Sequence, residues 1–507
     1  MLLVAVTGPV GAGKSSALAR LLESAAAEGR RVDGFVAEAK GRAEPGRGAE
    51  VYGLRFATPP RHTRLPEGGG RESERTLEAP VPYAVREASA APPYRFDPAA
   101  EARLDAWAEG LTPGLDLVVM DEFGRREASG EGLLRLWPRV EAAAPSVVVL
   151  AVRGDVLTDI EARLGHRFDV VVEAGTPQTD RRLAAVLTAH DDWARVGRYG
   201  ALGGGVEVGL GSALHAGQVP ARGLVLSTLQ ALVLLACGRG LVRRARLGWL
   251  PLVTAGLKAL SPAGNRLRPM LAITVQGWLF TAASTLLGWN RVGVFVAGAC
   301  CGAWAAAQGL ALGALLVGPA SIVRAYEVVA AWIGHTLGVA PPGLWVAATL
   351  WALAWGVVSG AVTLGVWLRL PEGRLEAWLH RRARPLRLRP RRHASRGTSS
   401  EVGGGGPKNR WGRGARWQGP AREVLQPAFW LPLVLVVVLV VAAGGTWARA
   451  AWTLLRAFAV GFVLFALARR IRVDRLAAWL RRHGAWGPAV ALERAKSEVN
   501  KRQKNDD

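Results

Sequence analysis

The run Gly8-Pro9-Val10-Gly11-Ala12-Gly13-Lys14-Ser15-Ser16 constrains this chain more than any other feature. It follows an apolar run from Met1 to Val6 and precedes apolar positions at helical spacing, Leu18, Leu21 and Leu22. The residues fit G-x-x-x-x-G-K-[ST] in the strand, loop, helix order that the pattern requires. Glycines let the backbone turn consecutive N–H groups inward, and the helix that begins there adds the positive end of its dipole, so the loop is shaped for phosphate oxygens. Gly8 through Ser16 are therefore expected to cradle phosphates, with Lys14 reaching the β and γ phosphates of a nucleoside triphosphate and Ser15 holding Mg²⁺.

A second run completes that chemistry. Leu115 to Met120 reads as a short apolar strand that ends in two carboxylates, Asp121 and Glu122. In a doubly wound sheet, an acid at a strand's carboxyl end sits beside the phosphate loop, where ligands gather. Asp121 is expected to join the Mg²⁺ shell, and Glu122 to polarise an attacking water, which makes Lys14 and Glu122 the catalytic candidates. Further strands are expected at Arg31 to Ala37, Ser146 to Val152 and Asp169 to Glu173, and helices at Gly132 to Ala143, Val156 to Leu164 and Pro177 to Ala189. This alternation predicts an α/β domain over residues 1–198, a mostly parallel sheet with helices on both faces. No L-S-G-G-Q-like signature follows the loop, which argues against an ABC ATPase.

Asp121-Glu122-Phe123-Gly124-Arg125-Arg126-Glu127 resembles the D-E-I-G-x-M-E signature of the THEP-type nucleoside-triphosphatases, small P-loop proteins also described as nucleotide-kinase-like. Val32-Asp33-Gly34-Phe35-Val36-Ala37-Glu38 is similar to that family's G-F-x-x-x-E strand, and Tyr52 to Phe56 and Tyr94 to Phe96 sit where it has its R-x-G-F and G-x-Y segments. The resemblance covers about residues 1–190, departs at Phe123 and Arg126, and implies a P-loop NTPase that hydrolyses ATP or GTP with Mg²⁺ and loose base choice. Glu127 matches the signature's second acid and equally suits a helix's first turn. Arg153, after the next strand, reads either as a γ-phosphate sensor or as an ordinary surface arginine.

Charge divides the chain. Residues 1–200 carry 26 Lys and Arg against 29 Asp and Glu, a net of −3, whereas residues 201–368 carry 10 against 2 and residues 369–422 carry 15 against 3. Basic residues thus gather around apolar stretches and not in the loop-bearing part, a pattern of the positive-inside rule that argues against nucleic acid as a partner. Gly343 to Leu368 and Pro269 to Leu287 are uncharged, and Val292 to Val317 has Gln308 as its one strong polar group. Each is long enough to cross about 30 Å of hydrocarbon at about 1.5 Å per residue. Val219 to Gly238 is a fourth candidate, and Ala201 to Gly217, Leu247 to Leu260 and Pro319 to Leu337 are weaker ones, so residues 199–368 are expected to form an all-α polytopic transmembrane module of about six crossings. Arg239, Arg243, Arg244 and Arg246 are expected on the cytoplasmic side with the loop-bearing domain.

Within that module, Ala299, Ala303, Ala307 and Ala311 recur every four residues beside Gly298 and Gly302, a face small enough for close helix contact. Arg324, Glu327 and His335 suggest either an intramembrane site or an interfacial helix. In size and alanine-rich packing the region resembles, as a class and not by a residue motif, the six-helix substrate-binding subunits of energy-coupling-factor transporters. Residues 369–427, rich in Arg, Pro and Gly, are expected to be a disordered cytoplasmic linker near anionic headgroups, with an RNA-binding arm as the rival reading. Residues 428–468 read as a transmembrane hairpin, and 469–507 as a basic cytoplasmic tail whose Leu476, Trp479 and Leu480 alternate with arginines, either to lie on lipid or to dock the first domain. Cys237, Cys300 and Cys301 all fall in apolar runs, giving neither a disulfide framework nor a metal site.

The expectation is a multi-pass inner-membrane protein with its NTPase domain in the cytoplasm. Its partners would be a nucleoside triphosphate, the lipid bilayer, a small-molecule solute and other transporter subunits. The alternative is a nucleotide-sensing or nucleotide-kinase-like domain tethered to a membrane protein without transport coupling.

Overall fold

The computed structural model describes residues 1–40, 49–57, 77–87, 94–208, 221–259, 267–371 and 473–504, with scattered positions between. The expected transmembrane hairpin and nearly all of the expected basic linker lie outside these residues. The chain divides into two units, residues 1–191 with 483–486, and residues 192–482 with 487–507.

The first unit is built on eight strands: β1 (Leu2–Gly8), β2 (Val32–Lys40), β3 (Ala49–Phe56), β4 (Val81–Glu87), β5 (Tyr94–Phe96), β6 (Leu117–Phe123), β7 (Val147–Arg153) and β8 (Val170–Glu173). They pair in the order β5-β4-β3-β2-β6-β7-β1-β8. β2, β6, β7, β1 and β8 run parallel, while β3, β4 and β5 extend the β2 edge as an antiparallel meander. The sheet is therefore mixed, a correction to the mostly parallel sheet expected. Short connections account for two of the three antiparallel pairings, since parallel pairs need crossovers of a dozen residues or more and only eight residues separate β2 from β3 and six separate β4 from β5; the 24 residues between β3 and β4 impose no such limit.

Alternation along the strands sends side chains to opposite faces. Leu117 and Val119 of β6 join Leu2, Val4 and Val6 of β1 under helices α1 (Lys14–Ala27) and α6 (Thr179–Val208), where Leu18, Leu22, Leu183 and Leu187 pack on them. Val118 and Met120 point the other way with Phe35 and Leu150, under α2 (Pro98–Glu109), α4 (Trp137–Ala143) and α5 (Leu157–Leu164), through Leu104, Val140 and Ile160. Short α3 (Arg125–Ala128) follows β6. Gly34, at φ +135°, lies so close to the Val119 backbone that a Cβ there would collide with it, so glycine is what lets β2 and β6 approach at this point.

The second unit is helical: the later part of α6, α7 (Arg222–Arg239), α8 (Leu250–Ala259), α9 (Leu267–Leu286), α10 (Arg291–Val317), α11 (Pro319–Leu337), α12 (Leu344–Arg369), α13 (Val473–Arg482) and α14 (Trp486–Lys504). Among the described residues three helices, α7, α10 and α12, are long and apolar enough to cross a membrane. The expected weaker crossing Leu247 to Leu260 is instead a 3-10 turn and the ten-residue α8, about 15 Å long and half a hydrocarbon core. Arg324, Glu327 and His335 on α11 are all exposed.

α10 and α12 pack antiparallel along a seam of small residues. Gly298 faces Thr363 and Gly360, Gly302 faces Trp355 and Ser359, and Gly356 faces Ala299 and Ala303. Elsewhere on α12, Trp345, Leu350, Trp351 and Leu353 are exposed. At the basic end, the Arg239 guanidinium donates to the carbonyls of Trp367 and Leu370, so the last turns of α7 and α12 lie together. Asp192, buried, accepts from the backbone of Val242 and Arg243 at 3.0 Å and from Arg246 at 2.6 Å. In the tail, Lys496 and Arg481 tie α13 to α14 through Asp474 and Glu493; Leu480 is buried, whereas Leu476 and Trp479 are exposed.

Candidate functional site

β1 ends at Gly8, and the chain turns through Gly11 and Gly13, both in the left-handed region at φ +80° and +79°, before α1 begins at Lys14. A side chain at either position would strain the backbone, which is why glycine recurs there. Ala12 N–H closes the turn on the Pro9 carbonyl at 3.2 Å. The Lys14 ammonium folds back over the loop and donates to the carbonyls of Gly8, at 2.9 Å, and Pro9, at 3.0 Å. It is thus held over the loop's mouth by two carbonyl bonds that a stronger anion can replace.

Ser15, in the first turn of α1, hydrogen-bonds Asp121 at the end of β6. The sequence places these two residues more than a hundred positions apart, and the sheet brings them together because a loop that follows β1 and an acid that ends β6 both lie at carboxyl ends of parallel strands. Asp121 is buried and accepts from the backbone of Ala37 at 3.0 Å and of Glu122 at 2.8 Å. Burial pushes its pKa up, against the Ser15, Ala37 and Glu122 hydrogen bonds and the Lys14 charge.

Glu122 departs from the strand. The β6–β7 pairing slips between Met120 and Phe123, and Glu122 takes φ +70°, a region that non-glycine residues rarely adopt. The slip takes Glu122 out of the ladder, as bulges beside sites do. Lost hydration where the chain crowds it, and then the neighbouring Asp121 charge, raise its pKa to about 7, opposed by Lys14. The two adjacent carboxylates thus differ in setting: one is buried in hydrogen bonds, and the other is poised near neutrality.

Glu127 has a structural task that sequence reasoning left open. It is buried, and its carboxylate accepts from Gly124 N–H at 2.9 Å and Leu133 N–H at 3.1 Å, pinning the loop that follows β6. Arg153 pairs with Gly8 across the β1–β7 register, and its guanidinium is tied to Asp155 at 3.1 Å through two bonds, while Asp155 also holds Arg125 at 3.3 Å. Asp155 was missed in the sequence; its place two residues beyond a strand end was the only signal. Arg126 stacks over the Phe96 ring at 4.0 Å and bonds Glu101 at 3.0 Å.

The structure therefore brings Lys14, Ser15, Asp121 and Glu122 together at the carboxyl ends of β1 and β6, around the Gly8–Ser16 loop. Among the described residues no group of three or more His, Cys, Asp or Glu side chains is placed to hold a metal ion. Magnesium does not require one: it binds through one or two protein oxygens together with phosphates and waters, and the Ser15 hydroxyl beside the Asp121 carboxylate is such a donor pair. Comparison of the chain with family models, with curated proteins and with solved structures finds no match.

Proposed function

We propose that the first unit is a P-loop nucleoside-triphosphatase of THEP-like type that hydrolyses ATP or GTP with Mg²⁺ on the cytoplasmic face of a membrane protein, and that hydrolysis drives or gates movement of a small solute. The observation that carries the nucleotide reading is the Ser15 to Asp121 hydrogen bond at the foot of a glycine loop already spanned by Lys14. Three separate segments converge where a phosphate chain would meet the helix N-terminus.

The chain's own residues divide the work. Backbone N–H groups of Gly11, Gly13 and Lys14 bind phosphate oxygens, and Lys14 exchanges its Gly8 and Pro9 carbonyls for them. Ser15 and Asp121 hold Mg²⁺, which neutralises charge on the phosphates when bound. Glu122, ionised near neutrality, orients the attacking water and takes its proton. Asp121 is poorly suited to that step, because its oxygens are engaged by Ser15, Ala37 and Glu122.

The test is phosphate release by the full chain in lipid vesicles, with ATP and GTP in turn, and solute uptake measured alongside. Lys14→Ala is expected to lose nucleotide binding, phosphate release and uptake together. Lost nucleotide binding with unchanged uptake would favour the tethered nucleotide-sensing or kinase-like alternative. Unchanged binding and release would end the nucleotide reading.

A further inference from the structure

The second unit gathers guanidiniums at one end, and the nucleotide reading does not use them. Among the described residues its three long apolar helices are α7 and α12, which finish at Arg239 and Arg369, and α10, which starts at Arg291. These termini share one end, because Arg239 donates to the carbonyls of Trp367 and Leu370 and α10 runs antiparallel to α12. The turn between α7 and α8 closes there on a single buried carboxylate. Asp192 accepts from Val242 N–H, Arg243 N–H and the Arg246 guanidinium, so its charge is taken up inside the turn. Arg195 and Arg239 donate to carbonyls of α7 and α12. Arg243 and Arg244 are left exposed, and among the described residues neither has a carboxylate partner. The Arg244 guanidinium instead lies 5.1 Å over the Trp289 ring, which packs against α7 where Gly238 leaves room for it. Bare apolar side chains accompany these charges: Val242 is 71% exposed in the turn itself, and Leu286 and Leu287 are exposed where the chain leads to Trp289.

Two demands have to be met together. Uncompensated guanidiniums call for an anion with several oxygens, which their forked N–H groups bind in pairs. Exposed apolar side chains call for hydrocarbon, and a free phosphate or a nucleic-acid strand would leave Val242, Leu286 and Leu287 in water. A purely apolar partner would strip water from Arg243 and Arg244 and replace it with nothing. An anionic phospholipid answers both, with phosphate for the arginines and acyl chain for the apolar side chains, and tryptophan favours the level where the two meet. We propose that the α7–α8 and α9–α10 turns form a headgroup site for an anionic phospholipid, with Arg243 and Arg244 on the phosphate, Trp289 steadying Arg244, and Val242 against the acyl chain. The inference rests on the membrane placement in the reading above and not on nucleotide hydrolysis.

Native mass spectrometry of the full chain released from nanodiscs tests it, with phosphatidylcholine alone and with phosphatidylglycerol mixed in. The wild type is expected to keep phosphatidylglycerol in preference to phosphatidylcholine. Arg243→Gln combined with Arg244→Gln should lower that retention about twentyfold, as two basic residues near an anionic headgroup would. Arg243→Lys with Arg244→Lys should keep it, which separates lost charge from lost folding, and Arg324→Gln on α11 should leave it unchanged. A chain recovered outside the nanodiscs would overturn the membrane reading and the site with it. A chain recovered inside them that keeps both lipids alike, or whose glutamine variant keeps phosphatidylglycerol as well as the wild type does, would overturn the site alone. Displacement of the lipid by inorganic phosphate would make this a free-anion site, and a dimer lost in the glutamine variant would put a second copy there; either result would overturn the lipid assignment.

Discussion

At the scale of single residues, Glu122 concentrates the site's cost and its chemistry. A non-glycine residue at φ +70° carries strain of about 1 kcal/mol or more. Glu122→Gly is expected to raise stability by about 1 kcal/mol in denaturant unfolding while abolishing phosphate release. Its pKa, raised to about 7 by lost hydration and by Asp121, gives the pH dependence a sign. As a base it acts only when ionised, so phosphate release should fall about tenfold per pH unit below the pKa and level off above it, and Glu122→Gln should flatten the profile. Stability moves oppositely. The folded carboxyl holds its proton to higher pH than the unfolded chain, so stability should decline as pH rises from the ordinary carboxyl range to about 7, and Glu122→Gln should remove that decline. None of this was legible in the sequence, which marks the acid pair but not the slip in register that separates the two.

Among the elements, the loop after β6 depends on one buried carboxylate. Glu127→Ala would strip Gly124 and Leu133 of their acceptor, leaving buried N–H groups unsatisfied at about 1–3 kcal/mol each. A loss of that order in denaturant unfolding, with faster hydrogen exchange confined to residues 124–133, is the expected outcome. The seam between α10 and α12 makes a second demand. Gly302→Leu would push a side chain into the Trp355 backbone and Ser359, and should abolish close packing of the two helices, measured as loss of a cysteine crosslink placed across the seam. The small-residue periodicity on α10 was readable beforehand, since Gly298, Ala299, Gly302 and Ala303 repeat at helical spacing. The partner was not, because α12 carries its own glycines among bulkier residues. The antiparallel strands β3 to β5 escaped for a related reason: short, proline-flanked segments such as Val81–Glu87 give weak period-two signals. α6 was expected to end at Ala189 and instead runs to Val208, because no proline breaks it.

For the whole molecule, the sequence separates a near-neutral part that carries the glycine loop from apolar and basic segments, and within the second unit the basic ends of α7 and α12 do lie together. Because α10 runs antiparallel to α12, the Gly338–Pro342 stretch lies at the opposite end of that helix pair from Arg239 and Arg369. If the three apolar helices cross a bilayer, a single cysteine at Gly338 and one at Arg239 should be labelled by an impermeant thiol reagent from opposite sides of sealed vesicles, in a cysteine-free background.

The site around Lys14, Asp121 and Glu122 is best tested by comparing nucleotide binding with phosphate release in one variant. Glu122→Gln in the full chain should bind Mg²⁺-ATP as the wild type does and release phosphate at least about a hundredfold more slowly. Unchanged release by that variant, or a wild-type chain that binds neither ATP nor GTP, would contradict the hydrolytic site.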